Sequence, residues 1–552
     1  MDKQTIGQYL IQRLSELGIA HVFGVPGDYN FNLIDAIEEN PSTDWIGCCN
    51  ELNAGYAADG YARVKGMGAV LTTYGVGELS VINAIAGAYA ESLPVINIVG
   101  MLRKSTIDAR KVVHHTLGSD YNVFKEIYSK VTAYSAVLSE ENAQDEIENA
   151  LSVAYYQKKP VYIGIYDDIC NNPIIITRGK LQEQRSDEKE LQEAVEHIRA
   201  FVERAKNPVI ISEFPILRYG LKKQMQEFIE QTGFLATTMV TGKGSVDETS
   251  ENFIGTYCGK LLESETAKIV ETSDCILGFG ILMSDLNTGC FSSELDFSNV
   301  VDIQASSVTL DGKTYKNVYM QDVLYALADK LSAHKNFTPP KNTDCGYSYI
   351  GPSDKLLSQE FLYSFLQNYL KDGDIYITET GLATLGSIPM RLPSNTIFCT
   401  SALWASIGWA VPACLGTALA NRSKRPILLC GEGACQMSYQ EISTMLRQGV
   451  KPIIIIINNE GYTIERLLSR NPTDEYNEIA KWDYTKLLEG FSGECKTYKV
   501  WEQKQFVKIL NKARDLNKLV FIEAFTDTLD APVFAKKFAE YARIASHSPQ
   551  LP

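Results

Sequence analysis

The feature that most constrains the fold is a set of short apolar segments that alternate with amphipathic ones. The clearest is residues 452–459, "PIIIIINN", in which five consecutive isoleucines precede an Asn-Asn pair. A β-branched run without polar alternation is typical of a strand buried on both faces, as in a parallel sheet covered by helices. Similar segments occur at 94–101 and 426–430, with helical patterns around them. The sequence therefore predicts an α/β protein with doubly wound, mainly parallel sheets.

The chain is too long for a single hydrophobic core. It has 552 residues, whereas single cores stop growing at about 250–300 residues. The alternation is interrupted by polar and charged segments at 171–191 and 334–354, which are typical of linkers. We therefore predict three doubly wound domains, at residues 1–175, 190–335 and 355–552.

Composition and charge exclude several classes of protein. The 52 basic and 67 acidic residues give a net charge of −15, and no basic cluster suits a phosphate backbone, so we expect no nucleic-acid partner. No apolar run approaches the ~20 residues of a membrane helix, and the N-terminus lacks a secretion signal, so we expect no membrane association. The twelve cysteines lack paired zinc-site spacing and indicate buried thiols in the cytoplasm.

Polar residues follow two of the apolar segments. Gly-Glu-Gly (431–433) follows "PILLC", and Asn459 ends the isoleucine segment. Because the carboxyl ends of neighbouring parallel strands lie at the same sheet edge, we expect Glu432 and Asn459 to be close together. A carboxylate and an amide oxygen suit Mg2+, and the two glycines let the backbone approach an anion. The alternative is a glycine-rich turn with a solvated glutamate.

The residues between these two strands predict a helix. "SYQE" (438–441) matches a capping box, in which a serine caps the first helical amides and a glutamate three residues later reaches back. Gly449 is a typical stop at a helix C-terminus. We therefore expect the helix to begin near Ser438 and to run to Gly449.

"GEGACQ" followed by "INNEGYTIE" resembles the thiamine-diphosphate motif of the pyruvate decarboxylase family. Other blocks that resemble this family are "FGVPGDYN", "NELNAGYAADGYAR", "LTTYGVGELS", "HHTLG", "ETG" and "LWASIGWAVPA". The resemblance covers nearly the whole chain. It implies an aminopyrimidine-binding domain, a mainly structural and regulatory central domain, and a diphosphate-binding domain. It also implies non-oxidative decarboxylation of a 2-oxo acid to an aldehyde and carbon dioxide by thiamine diphosphate ylid chemistry, with Mg2+ as the metal.

The resemblance also implies a set of catalytic residues. Glu51 corresponds to the glutamate that lies against the pyrimidine ring. The residues that correspond to the family's proton carriers are Asp28, His114, His115 and Glu465. Carboxylates and imidazoles clustered in a dry pocket shift one another's pKa values, which lets an acid and a base coexist near neutral pH. From the residues alone, Asp28 is also compatible with a helix cap and Glu51 with a surface glutamate at a helix start.

Binding roles follow from the same resemblance. The implied metal ligands are Glu432, Asn459 and the backbone carbonyl of Gly461. The implied cofactor-binding residues are Thr380, Gly381, Ile407, Gly433, Ala434, Tyr462 and Thr463, of which Ile407 is the bulky residue that bends the cofactor. The implied substrate pocket comprises Leu286, Thr384, Ile464 and Leu468. Because Glu51 and Glu432 lie in different domains, the resemblance implies a homodimer as the minimal active unit, commonly paired into a homotetramer.

The sequence departs from the family pattern at several positions. Glu432 replaces the usual aspartate, and its extra methylene adds about 1.5 Å to a site that requires near-octahedral geometry, so we predict a working but weaker metal site. Leu382 replaces a residue that is often polar. Leu286 and Thr384 replace aromatic side chains of some pyruvate specialists. Pyruvate is the first choice of substrate, with aromatic or branched-chain 2-oxo acids such as phenylpyruvate and indolepyruvate as the alternative.

Proteins of other classes share part of this pattern. A dinucleotide-dependent oxidoreductase is disfavoured because GxGxxG with its downstream acid is absent. A carboligating relative would share Glu51, but it is not expected to carry Asp28 together with the paired histidines. A non-catalytic cofactor sensor is compatible with Glu432 and Leu382, but not easily with the retention of all the proton carriers.

Overall fold

The computed structural model describes residues 4–174, 176, 181, 184–262, 264–332 and 346–547. Within these ranges the chain forms three sheets, one in each predicted domain. The predicted α/β class with three mainly parallel sheets is confirmed. Part of the linker at 171–191 and more than half of the one at 334–354 lie outside the described residues, and the domain limits stay a prediction.

The N-terminal domain is built around a parallel sheet. Its strands are β1 (His21–Gly24), β2 (Asp44–Gly47), β3 (Gly68–Thr73), β4 (Val95–Met101), β5 (Tyr134–Leu138) and β6 (Val161–Tyr166). Its helices are α1 (Ile6–Glu16), α2 (Phe31–Glu39), α3 (Glu51–Lys65), α4 (Val76–Ala90), α5 (Lys104–Asp108), α6 (Val123–Tyr128) and α7 (Ala143–Gln157). The strand order is β2-β1-β3-β4-β6-β5, with every pair parallel.

The central domain has a mixed sheet. Its strands are β7 (Pro208–Ser212), β8 (Leu235–Thr238), β9 (Phe253–Thr256), β10 (Cys275–Phe279), β11 (Val300–Gln304), β12 (Ser307–Leu310) and β13 (Lys313–Lys316). Its helices are α8 (Glu188–Arg204), α9 (Phe214–Arg218), α10 (Lys222–Thr232), α11 (Glu265–Glu271) and α12 (Met320–Lys330). The order is β13-β12-β11-β10-β7-β8-β9, in which only the β11-β12 and β12-β13 pairs of the described strands are antiparallel.

The C-terminal domain repeats the parallel arrangement. Its strands are β14 (Ile375–Thr378), β15 (Ile397–Thr400), β16 (Pro426–Gly431), β17 (Ile453–Asn458), β18 (Cys495–Val500) and β19 (Leu519–Phe525). Its helices are α13 (Gln359–Tyr369), α14 (Leu382–Ser387), α15 (Ala410–Ala420), α16 (Glu432–Ser438), α17 (Glu441–Arg447), α18 (Thr463–Leu468), α19 (Tyr484–Glu489), α20 (Gln503–Asp515) and α21 (Val533–His547). The order is β15-β14-β16-β17-β19-β18.

The isoleucine segment forms β17, which lies between β16 and β19 in this sheet. Its five isoleucines are at most 2% exposed, and burial of such a side chain stabilises the fold by roughly 1.5–3 kcal/mol. Strand β16 pairs with β17 in parallel, with Gly431 opposite Ile457. The residues that follow these two strands therefore emerge at the same edge of the sheet.

The helical segment between β16 and β17 differs from the prediction. The first helix begins at Glu432, directly after the strand, and Ser438 is its last residue. The Ser438 hydroxyl donates to the carbonyl of Gly408 at 2.8 Å, and Glu441 begins a second helix. The predicted start near Ser438 was wrong because the serine finds its partner in a loop that is distant in sequence. The predicted stop is confirmed, since Gly449 has φ +64° and lies just past the end of α17.

The N-terminal and C-terminal domains pack against each other through α3 and α15. At Gly60 an added Cβ would lie 2.3 Å from the carbonyl oxygen of Ala413, and at Gly416 it would lie 1.9 Å from that of Ala57. Neither position has room for a side chain, because such separations are far below contact distance. Buried apolar residues of both domains form one continuous cluster around this contact. The two domains of one chain are thus held together by close helix packing.

Two expectations from the sequence concern the cysteines, which were expected to be thiols, and the helices, none of which was expected to cross a membrane. The eleven described cysteines are free thiols, and Cys345 lies outside the described residues. None of the described helices combines the length and apolarity needed to cross a membrane.

The buried carboxyl group of Glu213 predicts a pH-dependent stability. Burial raises its pKa from 4.5 to about 7, so the native state binds this proton more tightly than the unfolded chain. Stability is therefore lost as the pH rises from the unfolded to the folded pKa, by up to about 3 kcal/mol. We expect Glu213→Gln to reduce the fall in melting temperature between about pH 5 and pH 8. An unchanged slope in thermal unfolding would contradict this assignment.

Candidate active site

A cavity of about 500 Å³ opens at the carboxyl edge of the C-terminal sheet. The predicted metal, cofactor and substrate residues all line it: Leu286, Thr380, Gly381, Thr384, Ile407, Glu432, Gly433, Ala434, Asn459, Gly461, Tyr462, Thr463, Ile464 and Leu468. Glu465, predicted as a proton carrier, also lines the cavity and is exposed. The structure therefore brings these residues together, while their individual roles stay predictions.

The proposed metal ligands form a compact group at the ends of β16 and β17. A carboxylate oxygen of Glu432 accepts the backbone N–H of Gly461 at 2.7 Å, and the side-chain amide of Asn459 lies 3.2 Å from both Glu432 oxygens. Glu432 and Asn459 are only 2% and 4% exposed. Burial raises the pKa of Glu432 to about 7, against the lowering effect of backbone N–H groups. A divalent cation would favour the charged carboxylate, so this donor set fits Mg2+.

The same cavity fits a diphosphate. Helices α14, α16 and α18 begin there, and their N-cap residues Gly381, Gly431 and Tyr462 give no side-chain cap to the first amides. N–H groups at helix starts that lack a backbone partner favour an anion. Gly433 lies against the ring of Tyr462, where an added Cβ would approach to 2.5 Å. The backbone around the cavity therefore offers donors to phosphate oxygens and leaves no room for a side chain at Gly433.

Glu379 supports the loop that carries Ile407, a role that sequence reasoning missed. This fully buried carboxylate accepts backbone N–H groups of Thr380 at 3.0 Å, Gly408 at 3.1 Å and Ala410 at 3.0 Å. Burial raises its pKa to about 7. The glutamate belongs to the "ETG" block, which was a signal that it matters. Two of its three partners, Gly408 and Ala410, are about 30 residues away, so no local pattern identifies them.

The substrate side of the cavity has an apolar wall. Leu286 and Ile464 pack with the C-terminal helix α21, which contributes Phe538 to the lining. Phe538 was missed because it comes from an amphipathic helix with no motif of its own. Thr384 is only 3% exposed, and its hydroxyl lies 2.7 Å from that of Thr400. Thr384 therefore limits the cavity mainly through buried packing.

The remaining catalytic candidates lie at the carboxyl edge of the N-terminal sheet. Asp28 follows β1, and its carboxylate lies 2.7 Å from Nε2 of His114. The rings of His114 and His115 are 4.7 Å apart at 82°, and Tyr29 stacks on His114 at 4.9 Å. His115 has φ +69°, and its Nδ1 is buried with no hydrogen-bond partner among the described residues. Asp28, His114 and His115 thus form one cluster with an available ring nitrogen.

Glu51 lies near this cluster, across the turn that follows β3. An added Cβ at Gly75 would lie 2.4 Å from the carbonyl oxygen of His115, and one at Gly77 would lie 3.4 Å from a carboxylate oxygen of Glu51. The turn and the start of α4 therefore lie against both the backbone of His115 and the carboxylate of Glu51. Glu51 is itself the first residue of α3, after the Asn50 cap.

Glu51 and the residues that line the cavity lie near opposite ends of α4. Its start is next to Glu51, whereas Gly87, near its end, lies against the ring of Trp404 in the loop beside the cavity. Ten residues of helix separate Gly77 from Gly87, which corresponds to about 15 Å. Among the described residues, the cavity lining includes none from the N-terminal domain. One chain thus presents two separated halves of the predicted site.

Comparison with known proteins finds matches in all three domains. Family models described as thiamine pyrophosphate enzymes match the N-terminal TPP binding domain at residues 4–123, the central domain at 191–329 and the C-terminal TPP binding domain at 379–524. The chain is 37% identical to pyruvate decarboxylase isozyme 1 of Saccharomyces cerevisiae, over 96% of this chain and 97% of that protein. It is 36% identical to the pyruvate decarboxylases of Kluyveromyces lactis and Hanseniaspora uvarum, with the same coverage.

The matched domains and the cavity define a thiamine diphosphate-dependent enzyme. The identity extends over nearly the full length of both chains. The protein therefore belongs to the pyruvate decarboxylase family of 2-oxo acid decarboxylases, and the family resemblance seen in its motifs is confirmed.

Proposed function

We propose that this protein decarboxylates pyruvate to acetaldehyde and carbon dioxide, without oxidation, using thiamine diphosphate and Mg2+. The observation that carries the proposal is the cluster of Asp28, His114 and His115, with Asp28 2.7 Å from His114. Release of an aldehyde requires a proton on the carbon that has lost carbon dioxide, and this cluster supplies groups that can carry it. The names of the relatives favour pyruvate over larger 2-oxo acids. The apolar wall formed by Leu286, Ile464 and Phe538 would hold the substrate side chain.

The cofactor would be held by groups already described. Glu432, Asn459 and the Gly461 carbonyl would bind Mg2+, and the helix starts around the cavity would bind the diphosphate. Bound thiamine diphosphate supplies a nucleophilic carbon and an electron sink. Ile407 would hold its two rings together, with its loop fixed by Glu379. The carboxyl group of Glu51 would donate a hydrogen bond to the pyrimidine ring nitrogen.

The division of the site supports a homodimer as the active unit, with a homotetramer as its paired form. A single cofactor must contact both Glu51 and Glu432, which lie in different halves of the predicted site. In the dimer, the N-terminal half of one chain would complete the cavity of the other. The exposure of Asp28, His114 and Glu465 agrees with a surface that a second copy covers. The free thiols support the proposed cytoplasmic location.

The proposal is tested by aldehyde formation with thiamine diphosphate and Mg2+. Pyruvate, phenylpyruvate, indolepyruvate and 2-oxoisovalerate are compared by kcat/KM. We expect the highest value for pyruvate, and a strong decrease in kcat for His114→Gln. His197→Gln is the matched control, since His197 lies 3.1 Å from Asp311 in the central domain. A higher kcat/KM for a bulky acid would make that acid, rather than pyruvate, the preferred substrate. If no aldehyde formed although the cofactor was bound, the result would favour a non-catalytic cofactor sensor.

Glu432 predicts an altered dependence on Mg2+. Glu432→Asp shortens the side chain by about 1.5 Å and restores the usual ligand, so we expect half-saturation at a roughly 10-fold lower Mg2+ concentration. Activity and binding of thiamine diphosphate are titrated against Mg2+ after chelation. An unchanged or higher requirement would show that the surrounding loops have adapted to the longer side chain.

A further inference from the structure

Glu441 connects the C-terminal domain to the helix that carries Glu51. It is the first residue of α17 and is fully buried. One carboxylate oxygen accepts the backbone N–H of Cys49 at 3.2 Å and the side-chain amide of Asn53 at 2.9 Å. These partners stand on either side of Glu51, separated from it by one residue each. A glutamate of one domain thus holds the helix start of another.

Other contacts strengthen this attachment. The Cys48 thiol lies beside Glu441, and burial together with this carboxylate raises its pKa, so the thiol stays protonated. The Cys49 thiol contacts the carbonyl of Gln440 at 3.4 Å. The guanidinium of Arg447, at the other end of α17, donates to the Gly47 carbonyl. Helix α17 is therefore bound along the turn between β2 and α3.

The buried carboxylate of Glu441 indicates a role beyond filling space in the core. Burial of a carboxylate is costly unless its oxygens are satisfied. Its second oxygen has no hydrogen bond to a nitrogen or oxygen donor among the described residues. An apolar residue of similar size would fill the space without this cost. A negative group at a helix N-terminus is favourable, and here it fixes the turn from which the carboxyl group of Glu51 projects.

We propose that Glu441 is a positioning residue for Glu51. It fixes the first turn of α3, so that the Glu51 carboxyl group meets the pyrimidine ring at the correct position. The inference rests on the proposed role of Glu51. Glu441 lies nine positions after Glu432, on the helix that follows α16. Residues 432–441 therefore connect a predicted metal ligand of one site to the residue that would position Glu51, the glutamate expected to lie against the pyrimidine ring, in the other site.

The test measures how fast the bound cofactor loses its reactive proton. Holoenzyme without substrate is transferred to deuterated buffer, quenched in acid, and the exchange at the thiazolium C2 position is followed by proton NMR. Glu51→Gln serves as the reference and is expected to slow exchange by about 100-fold or more. Glu441→Ala is expected to slow it by about 10-fold. Glu441→Gln keeps an oxygen for Cys49 and Asn53 and should recover most of the rate.

Controls separate positioning from general loss of stability. Glu213→Gln changes another fully buried carboxyl group and is expected to exchange at the wild-type rate. Asn53→Ala removes the same hydrogen bond from its other end, and it serves if Glu441→Ala does not fold. Wild-type exchange in the folded variants of Glu441 or Asn53, with slow exchange in Glu51→Gln, would overturn the inference. Wild-type exchange in Glu51→Gln would instead refute the proposed role of Glu51, and the inference would fall with it.

Discussion

Replacement of Glu465 by glutamine is expected to lower kcat for pyruvate by about 10²- to 10⁴-fold, because a general acid or base is lost from the cavity. Glu465 lines the cavity from α18 but lies outside the predicted metal and diphosphate groups. Binding of thiamine diphosphate should therefore change little. Steady-state kinetics and a cofactor titration measure the two quantities separately.

The matched control for this change is Glu475→Gln, which alters an exposed glutamate outside the cavity. It should leave kcat unchanged. If Glu465→Gln instead abolished cofactor binding, its carboxylate would belong to the binding site rather than to proton transfer. A wild-type kcat would remove Glu465 from the mechanism.

The second large effect is expected at the contact between α3 and α15. Gly416→Ala places a methyl group 1.9 Å from the carbonyl oxygen of Ala57, so the helices must separate. We expect a loss of stability of about 3 kcal/mol or more and a lower yield of folded protein. Thermal unfolding measures the change. Gly490→Ala is the control, because Gly490 has φ −80° and its nearest neighbour would be 3.4 Å away.

Wild-type stability together with wild-type activity of Gly416→Ala would contradict the close approach of the two helices. A loss of activity without a loss of stability would also be informative. It would mean that the helices adjust at little energetic cost, but that Glu51 at the start of α3 moves with them.

The sheets were predictable because burial on both faces leaves a simple pattern. The isoleucines of β17 show no polar alternation, and the polar residues after β16 and β17 mark the edge where Glu432 and Asn459 meet. The glycines of α3 and α15 gave no such signal. Their role depends on a partner helix about 350 residues away, and nothing in the local sequence identifies that partner.

Glu441 shows most clearly where local reasoning failed. Its spacing from Ser438 suggested a capping box, in which the glutamate would serve its own helix. In the structure it instead accepts hydrogen bonds from Cys49 and Asn53 in another domain. Phe538 was missed for a related reason, since a remote helix brings it to the cavity. The motif residues could be placed from the sequence, but their supporting partners required the tertiary structure.

The separation of the site into two halves on one chain has a genetic consequence. In a homodimer, Glu51 of one chain would serve the cavity that contains Glu465 of the other. A mixed dimer of a Glu51→Gln chain and a Glu465→Gln chain would then collect both defects in one site and leave the other intact. Two inactive alleles expressed together would restore growth or activity that neither supports alone.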